Sequence, residues 1–133
     1  MADPLLEVRA AGLWCPPAKA WIDPTRAVGR AIVTHGHGDH CRPGSRALLA
    51  TPETAAIART RYGKEAFAKV ETLAYGEVRE LGAARVWLAP AGHVLGSAQV
   101  VIEAGGVRAV VSGDYKREVD PTCAPFELVE CDL

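Results

Sequence analysis

Three of the four histidines in the chain lie within six consecutive positions, together with an aspartate. The run reads His-Gly-His-Gly-Asp-His over residues 35–40, directly after a short apolar stretch. Side chains two positions apart on an extended segment point the same way, so His35 and His37 can reach one ion. Asp39 and His40 follow a turn and can face a second ion nearby. Imidazole and carboxylate ligands together suit zinc, or manganese where carboxylates dominate.

The fourth histidine and a further aspartate also follow predicted strands. His93 stands between two glycines after the predicted strand at 84–89, and Asp114 follows the one at 107–112. Loops at strand ends are where binding sites are commonly built, so we expect both side chains to join the cluster. Taken singly, each would more often be an ordinary hydrogen-bonding residue of a loop. The complete pattern predicts a metal centre.

The elements that must position these residues are mainly strands, with one helix. Thr51 is the predicted N-cap of this helix, Pro52 its first residue and Gly63 its end. Gly105 and Gly106 predict a tight hairpin turn. The predicted strands are 5–9, 12–15, 20–23, 30–34, 48–50, 70–75, 77–81, 84–89, 99–103, 107–112 and 126–133, the last continuing to the end of the chain. Many strands with few helices predict sheet packed on sheet, with helix outside.

Charge is balanced over the chain. Fifteen basic and sixteen acidic residues give a net charge of −1, which neither supports nor excludes a nucleic-acid partner, because such binding needs only a local basic patch. Lys116 and Arg117 follow Asp114 closely and are candidate contacts to a phosphate backbone. The alternative is that they lie on a solvated turn.

The cellular location of the protein is predicted from two features that the sequence lacks, an apolar membrane-spanning run and an export signal. No run of 18 apolar residues is present, which excludes a membrane-spanning helix, and the N-terminus does not resemble an export signal. The four cysteines show no Cys-x-x-Cys pair. They could form two disulfides, but reduced thiols in a cytoplasmic protein are the favoured interpretation.

The ligand pattern resembles that of a known superfamily. The run at 35–40 resembles the signature motif of the metallo-β-lactamase superfamily, and His93 and Asp114 match its next two ligand positions in order. The stretches 92–98 and 112–115 are similar to its nucleic-acid-processing branch, whose members carry an inserted β-CASP cap domain. Residues 21–24 and 120–126 most resemble the bacterial ligase-associated DNA exonucleases, often labelled mRNA 3′-end processing factors. The resemblance spans nearly the whole chain and implies an α/β fold, an αββα sandwich with the site along one edge.

The resemblance also implies an activity, which is hydrolysis of phosphodiester bonds by two divalent ions, zinc or alternatively manganese. The implied ligands are His35, His37 and His93 for the first ion, Asp39 and His40 for the second, and Asp114 as the bridge. Asp39 and Asp114 would be the catalytic carboxylates. Two ions about 3.5–4 Å apart can activate a water and stabilise the attacking and leaving oxygens. The implied substrate is nucleic acid, with DNA favoured over RNA and a DNA ligase as functional partner.

The sequence departs from this family in its length. Family members continue well beyond 133 residues, and one of their later histidines completes the shell of the second ion, whereas no histidine follows His93 here. We therefore expect residues 1–133 to be the N-terminal portion of a metallo-β-lactamase domain, without the β-CASP cap and the C-terminal core strands.

Several functions stay open at this point. Within the nucleic-acid-processing branch, a DNA exonuclease is favoured and an RNA-processing nuclease is the alternative. A different hydrolase of the superfamily would act on a thioester, a lactam or a small phosphodiester. An inactive metal-binding fragment is the remaining possibility. The stretches 92–98 and 120–126 favour the nuclease.

Overall fold

The protein was analysed as a computed structural model, which describes residues 4–133. This part of the chain contains ten strands and one helix. The elements are β1 (Glu7–Arg9), β2 (Gly12–Cys15), β3 (Ala20–Ile22), β4 (Arg30–Ile32), β5 (Ala47–Ala50), α1 (Pro52–Tyr62), β6 (Lys69–Thr72), β7 (Arg79–Leu81), β8 (Ala84–Pro90), β9 (Ala98–Ala104) and β10 (Val107–Val111). Among the described residues, no helix has the length and apolar character needed to cross a membrane.

The strands form two sheets. The first has the order β1-β2-β3-β4-β5-β6, in which the first two pairings are antiparallel and the remaining three are parallel. The second has the order β10-β9-β8-β7 and is antiparallel throughout. Because β3 and β4 run parallel, the segments that follow them leave the sheet at the same edge.

The main core lies between the two sheets, and α1 covers the opposite face of the first sheet. Buried residues that meet between the sheets include Ile22, Ile32 and Leu49 from the first and Val86, Leu88, Val100 and Ile102 from the second. A second cluster joins Ala58 of α1 to Val33, Leu48 and Phe67. The result is the sheet-rich α/β structure that the sequence predicts, layered as helix, sheet and sheet. Within residues 4–133, no helix covers the outer face of the second sheet.

The predicted helix is confirmed at both ends. The Thr51 side chain accepts a hydrogen bond from the Thr54 backbone N–H, Pro52 begins the helix, and Gly63 ends it with a hydrogen bond from its N–H to the Arg59 carbonyl. The hairpin turn at 105–106 is also confirmed, since it joins the antiparallel strands β9 and β10.

The strand predicted over 126–133 is wrong. This segment lies beside β10 but makes only isolated backbone hydrogen bonds, including those from Asp132 and Leu133 to the Arg108 carbonyl. The Asp132 side chain also accepts the Arg108 N–H at 2.9 Å, so a carboxylate takes the place of a ladder carbonyl. The other predicted strands are present, and their ends differ from the prediction by at most three residues.

Candidate metal centre

Three loops bring the predicted ligands together. The loop after β4 carries His35, His37 and His40, the loop after β8 carries His93, and the segment after β10 carries Asp114. One ligand atom from each of His35, His37, His93 and Asp114 lies within 4.8 Å of the other three. Residues that are far apart in sequence therefore converge where the two sheets meet.

The distances in this first group suit a tetrahedral ion. His93 Nε2 lies 3.3 Å from His37 Nδ1 and 3.8 Å from Asp114 Oδ2, and His35 Nε2 lies 3.6 Å from the same oxygen. Ligands bound to zinc at about 2.0–2.1 Å are separated by about 3.4 Å in a tetrahedron. These four side chains can therefore hold one ion after small adjustments.

His35 is the most deeply buried of these ligands, and its ligand atom is unsatisfied. The side chain is fully buried, and Nε2 has no hydrogen-bond partner among residues 4–133. Burial, helped by the charges of the neighbouring histidines, lowers the pKa of His35 to about 4. A neutral imidazole with a buried lone pair is costly unless something binds it, so this atom fits a metal ligand.

Hydrogen bonds on the far side of the rings fix the tautomers. Thr34 Oγ1 donates to Asp23 Oδ2 at 2.6 Å, so the same hydroxyl accepts from His35 Nδ1 at 2.9 Å. Asp23 Oδ2 also accepts from His40 Nδ1 at 2.7 Å. In both rings Nδ1 carries the proton, which leaves the Nε2 lone pair facing the cluster, as in metal-binding histidines supported by a carboxylate.

A second group shares Asp114 with the first. His40 Nε2 lies 3.5 Å from Asp114 Oδ2 and 3.6 Å from Asp39 Oδ2. Burial acts to lower the pKa of His40, but the hydrogen bond with Asp23 and the nearby carboxylate charges outweigh it and raise the pKa. The side chains of Asp39 and Asp114 are 75% and 52% exposed, so this group opens to solvent.

Asp23 also lies near His35 and His40, but its oxygens are already occupied. Oδ1 accepts from the Thr34 backbone N–H, and Oδ2 accepts from both the Thr34 hydroxyl and His40. Burial raises the pKa of Asp23, and these hydrogen bonds oppose the increase. Asp23 therefore supports the ligands and is not expected to bind an ion itself.

Tight packing holds the histidine loop against α1. A Cβ at Gly36 would lie only 2.7 Å from Ile57 Cγ2, and the Arg61 guanidinium donates to the Gly36 carbonyl. Gly38, by contrast, has room, because the nearest atom to a Cβ there is the Tyr62 hydroxyl at 3.9 Å. Crowding by the helix therefore excludes a side chain at Gly36 but not at Gly38.

The loop that carries His93 is held by side-chain hydroxyls. Thr51 and Thr54, at the start of α1, both donate to the Gly96 carbonyl, at 2.7 and 3.1 Å. Ser97 Oγ accepts the backbone N–H groups of His93 and Val94. The helix N-terminus therefore fixes one ligand loop, and its middle, through Ile57, fixes the other.

The two predicted substrate contacts differ in their surroundings. Lys116 forms an ion pair with Asp120 at 3.6 Å. Arg117 is exposed and makes no ion pair or side-chain hydrogen bond within residues 4–133; with Tyr115 and Phe126 it lines a cavity of about 320 Å³. Of the two, Arg117 is the cation left available to an anion.

Sequence reasoning missed the roles of Asp23 and Thr34. Asp23 was noted only as part of a family-like stretch, although it follows β3 directly. Since β3 pairs in parallel with β4, with Ile22 opposite Ile32, a polar residue just after β3 must lie beside the start of the histidine loop. The role of Asp23 follows from the pairing of β3 with β4, and the spacing of residues along the chain does not reveal that pairing.

The fold and the cluster together define an α/β protein with a histidine and aspartate site able to hold metal ions. No protein-family model matches the chain. A protein from Opitutus terrae named "Probable DNA ligase" is 34% identical over 125 residues, which cover 89% of this chain and 12% of that protein.

Two groups of eukaryotic proteins are also similar over shorter stretches. The Kluyveromyces lactis protein named "Endoribonuclease YSH1" is 45% identical over 56 residues, 42% of this chain and 7% of that protein. The Arabidopsis thaliana protein named "Cleavage and polyadenylation specificity factor subunit 3-I" is 38% identical over 60 residues, 45% of this chain and 9% of that protein. The chain thus spans about a tenth of the length of these relatives.

A solved structure shares the fold. The crystal structure of a protein of unknown function from Enterococcus faecalis V583 aligns with a TM-score of 0.54 over 66% of this chain and 25% of that one. The sequence identity is 19%, so this likeness concerns the fold alone.

Proposed function

We propose that the chain belongs to the nucleic-acid-processing branch of the metallo-β-lactamase superfamily and provides the metal centre of a phosphodiester hydrolase. The observation that carries this proposal is the convergence of His35, His37, His93 and Asp114, with the Nε2 atom of His35 buried and unsatisfied. The relatives named for DNA ligation and RNA cleavage support a nucleic-acid substrate.

The proposed ligand roles follow the two groups of the cluster. His35, His37 and His93 would hold the first ion and His40 and Asp39 the second, and Asp114, whose Oδ2 lies within 4 Å of three imidazole nitrogens, would be shared by both. Zinc is the proposed metal because imidazole dominates the set, and manganese is the alternative. Divalent ions held here would lower the pKa of a water and neutralise charge on the phosphate.

The carboxylates Asp39 and Asp114 are the proposed catalytic residues. The Asp39 side chain is 75% exposed, so it can accept a hydrogen bond from the attacking water and orient it toward the phosphorus. Asp114 places a negative charge between the two groups of ligands and would keep the two ligand groups close together. Asp23, which is partly buried, and Thr34, which is buried, hold the imidazoles in their ligating tautomers.

The substrate is proposed to be DNA, and the partner a DNA ligase, on the strength of the relative whose name contains that activity. Lys116 and Arg117 are proposed substrate contacts, with Arg117 the stronger because it lacks the carboxylate partner that Lys116 has. RNA is the second candidate, favoured by the endoribonuclease relatives. A cytoplasmic location is proposed because all four cysteines are unpaired thiols.

The test measures metal content and cleavage together. The purified chain, and the longest reading frame that contains it, would be loaded with zinc or manganese, and bound metal counted by mass spectrometry. Each would then be incubated with end-labelled single-stranded and duplex DNA and RNA of one sequence. We expect two ions per chain, and loss of both bound metal and cleavage in a His35→Ala, His37→Ala double variant.

The control is Arg85→Ala at the start of β8, which removes an exposed side chain whose ion-pair partner is Glu103 and not a member of the cluster. It should retain metal and activity. Unchanged metal content in the double histidine variant would overturn the site. Two bound ions without cleavage of any of the four substrates would overturn the nuclease and leave a metal-binding module.

A further inference from the structure

A groove runs along α1 beside the loops that carry the proposed ligands. It has a volume of about 580 Å³ and is lined by Glu53, Ala56, Ile57, Thr60, Arg61 and Leu95. Ile57 packs against Gly36, which lies between His35 and His37, and Leu95 lies two residues after His93. Both long walls of the groove are therefore continuous with loops that carry the proposed ligands.

The groove is preformed and apolar. Leu95 is 53% exposed, although the loop that carries it is held by the hydrogen bonds of Thr51 and Thr54 to Gly96. An exposed leucine on a fixed loop, facing Ala56 and Ile57 of a helix, gives a rigid apolar surface. The volume of the groove falls within the range of about 300 to 1,000 Å³ that is typical of sites for small molecules.

The charges of the groove are separated along the helix. Arg61 lies at one end, where its guanidinium donates to the Gly36 carbonyl but meets no carboxylate within residues 4–133. Lys64, three residues on, is likewise without an ion pair in the described chain. Glu53 lies about 12 Å away along the helix, at the other end. A ligand with an anionic end and a neutral, hydrogen-bonding body matches this order.

We propose that this groove binds the nucleoside next to the scissile phosphodiester, with its flanking phosphate at Arg61 and its base and sugar against Ile57 and Leu95. The inference rests on the proposed function and adds a substrate class to it. A base held between a helix and a loop cannot remain paired in a duplex, so the groove selects an unpaired, single-stranded nucleotide.

The test compares matched variants in a binding assay. Ala56→Glu places a carboxylate in the groove, and Ala68→Glu makes the same change at an exposed position outside it. Leu95→Ala removes the apolar wall, and Val78→Ala shortens another exposed aliphatic side chain, 43% exposed, elsewhere. The probe is a fluorescein-labelled oligo-dT strand of 12 nucleotides. Its binding is followed by fluorescence anisotropy, once with zinc and once with EDTA, and a gel confirms that the strand stays intact.

We expect Ala56→Glu and Leu95→Ala to weaken binding of the single strand on the order of 10-fold, because each change removes or charges apolar contact surface, and the two controls to change it less than about 2-fold. The corresponding dA·dT duplex should bind more weakly to wild type and discriminate little between the variants. Zinc content should equal that of wild type in all four.

Four results would overturn the groove proposal. One is equal affinity of Ala56→Glu and Ala68→Glu, which would indicate general electrostatics. Another is no measurable binding of the single strand by wild type. The third is loss of self-association in Leu95→Ala, seen by ultracentrifugation, with unchanged oligonucleotide affinity, which would make the groove a protein contact. The fourth is cleavage by the groove variants at the rate of wild type, which would overturn this inference alone. Absence of both bound metal and cleavage in wild type would instead overturn the proposed function.

Discussion

Two residues behind the proposed ligands, Asp23 and Thr34, determine which ring atoms of two histidines face the cluster. Thr34 Oγ1 donates a hydrogen bond to Asp23 and accepts one from His35 Nδ1, and Asp23 accepts another from His40 Nδ1. A single carboxylate thus fixes the tautomer of one ligand in each group of the cluster. Its removal should disturb both groups without removing a ligand.

Replacing Asp23 by Asn should weaken metal binding while all six ligands remain. An amide carries no charge and accepts on only one of its two terminal atoms, so it cannot serve Thr34 and His40 as the carboxylate does. Loss of such a supporting partner typically costs about 10–100-fold in metal affinity. Zinc affinity would be measured by competition with a chromophoric chelator.

Asp120→Asn is the matched control, because Asp120 also accepts hydrogen bonds from a threonine, Thr122, but lies outside the cluster. Its zinc affinity should equal that of wild type. Circular dichroism would confirm that both variants are folded. Equal zinc affinities for Asp23→Asn and wild type would show that Asp23 does not act on the ligands.

At the scale of elements, the contact between α1 and the histidine loop decides which residue can stand at position 36. A methyl group there would meet Ile57 at 2.7 Å, so Gly36→Ala must displace the helix or the loop. Overpacking of this kind costs about 1–3 kcal/mol of unfolding free energy. At Gly38 the nearest atom to a new methyl group is 3.9 Å away, so Gly38→Ala should leave the free energy of unfolding nearly unchanged. Denaturant titration of both variants would measure the two free energies.

A second substitution identifies the cause of that loss. Ile57→Ala removes the atoms that the new methyl group would meet, so the double variant should be more stable than the sum of the two single changes predicts. Strict additivity of the two free-energy changes would mean that the crowding at position 36 has no energetic consequence.

The outcome of the sequence analysis follows from how local each signal is. The limits of α1 were predictable because Thr51, Pro52 and Gly63 act on backbone groups within a few residues. The ligand run at 35–40 was visible because its residue types are uncommon at that spacing. Asp23 was missed because its role depends on the parallel pairing of β3 with β4. The false strand at 126–133 has apolar residues but lacks a partner ladder, which residue types do not reveal.

At the scale of the whole molecule, one carboxylate joins the two sheets. Glu71 of β6 lies 2.7 Å from Arg79 of β7, in the other sheet, 3.1 Å from Lys69 and 3.6 Å from Arg30 of β4. Burial acts to raise the pKa of Glu71, but the hydrogen bond from Lys69 and the three positive charges outweigh it and lower the pKa. The ionised form is thus favoured by folding.

This lowered pKa predicts how the stability of the link depends on pH. A carboxyl group with a depressed folded-state pKa stabilises the fold above its unfolded pKa and loses that contribution as pH falls through the folded value. Glu71→Gln should therefore cost about 1 kcal/mol at pH 7 in low salt, and the difference from wild type should shrink below the ordinary glutamate pKa of about 4.5.

The difference between wild type and variant is the quantity to follow, because protonation elsewhere, including in the His and Asp cluster, affects both proteins alike. Urea titrations at pH 7, 5, 4 and 3 would give it, and 1 M salt at pH 7 should reduce it by screening. Glu65→Gln is the control, since Glu65 is exposed and has no ion pair in the described chain. A Glu71→Gln difference that stays constant from pH 7 to pH 3 would show that the charge of Glu71 does not link the sheets.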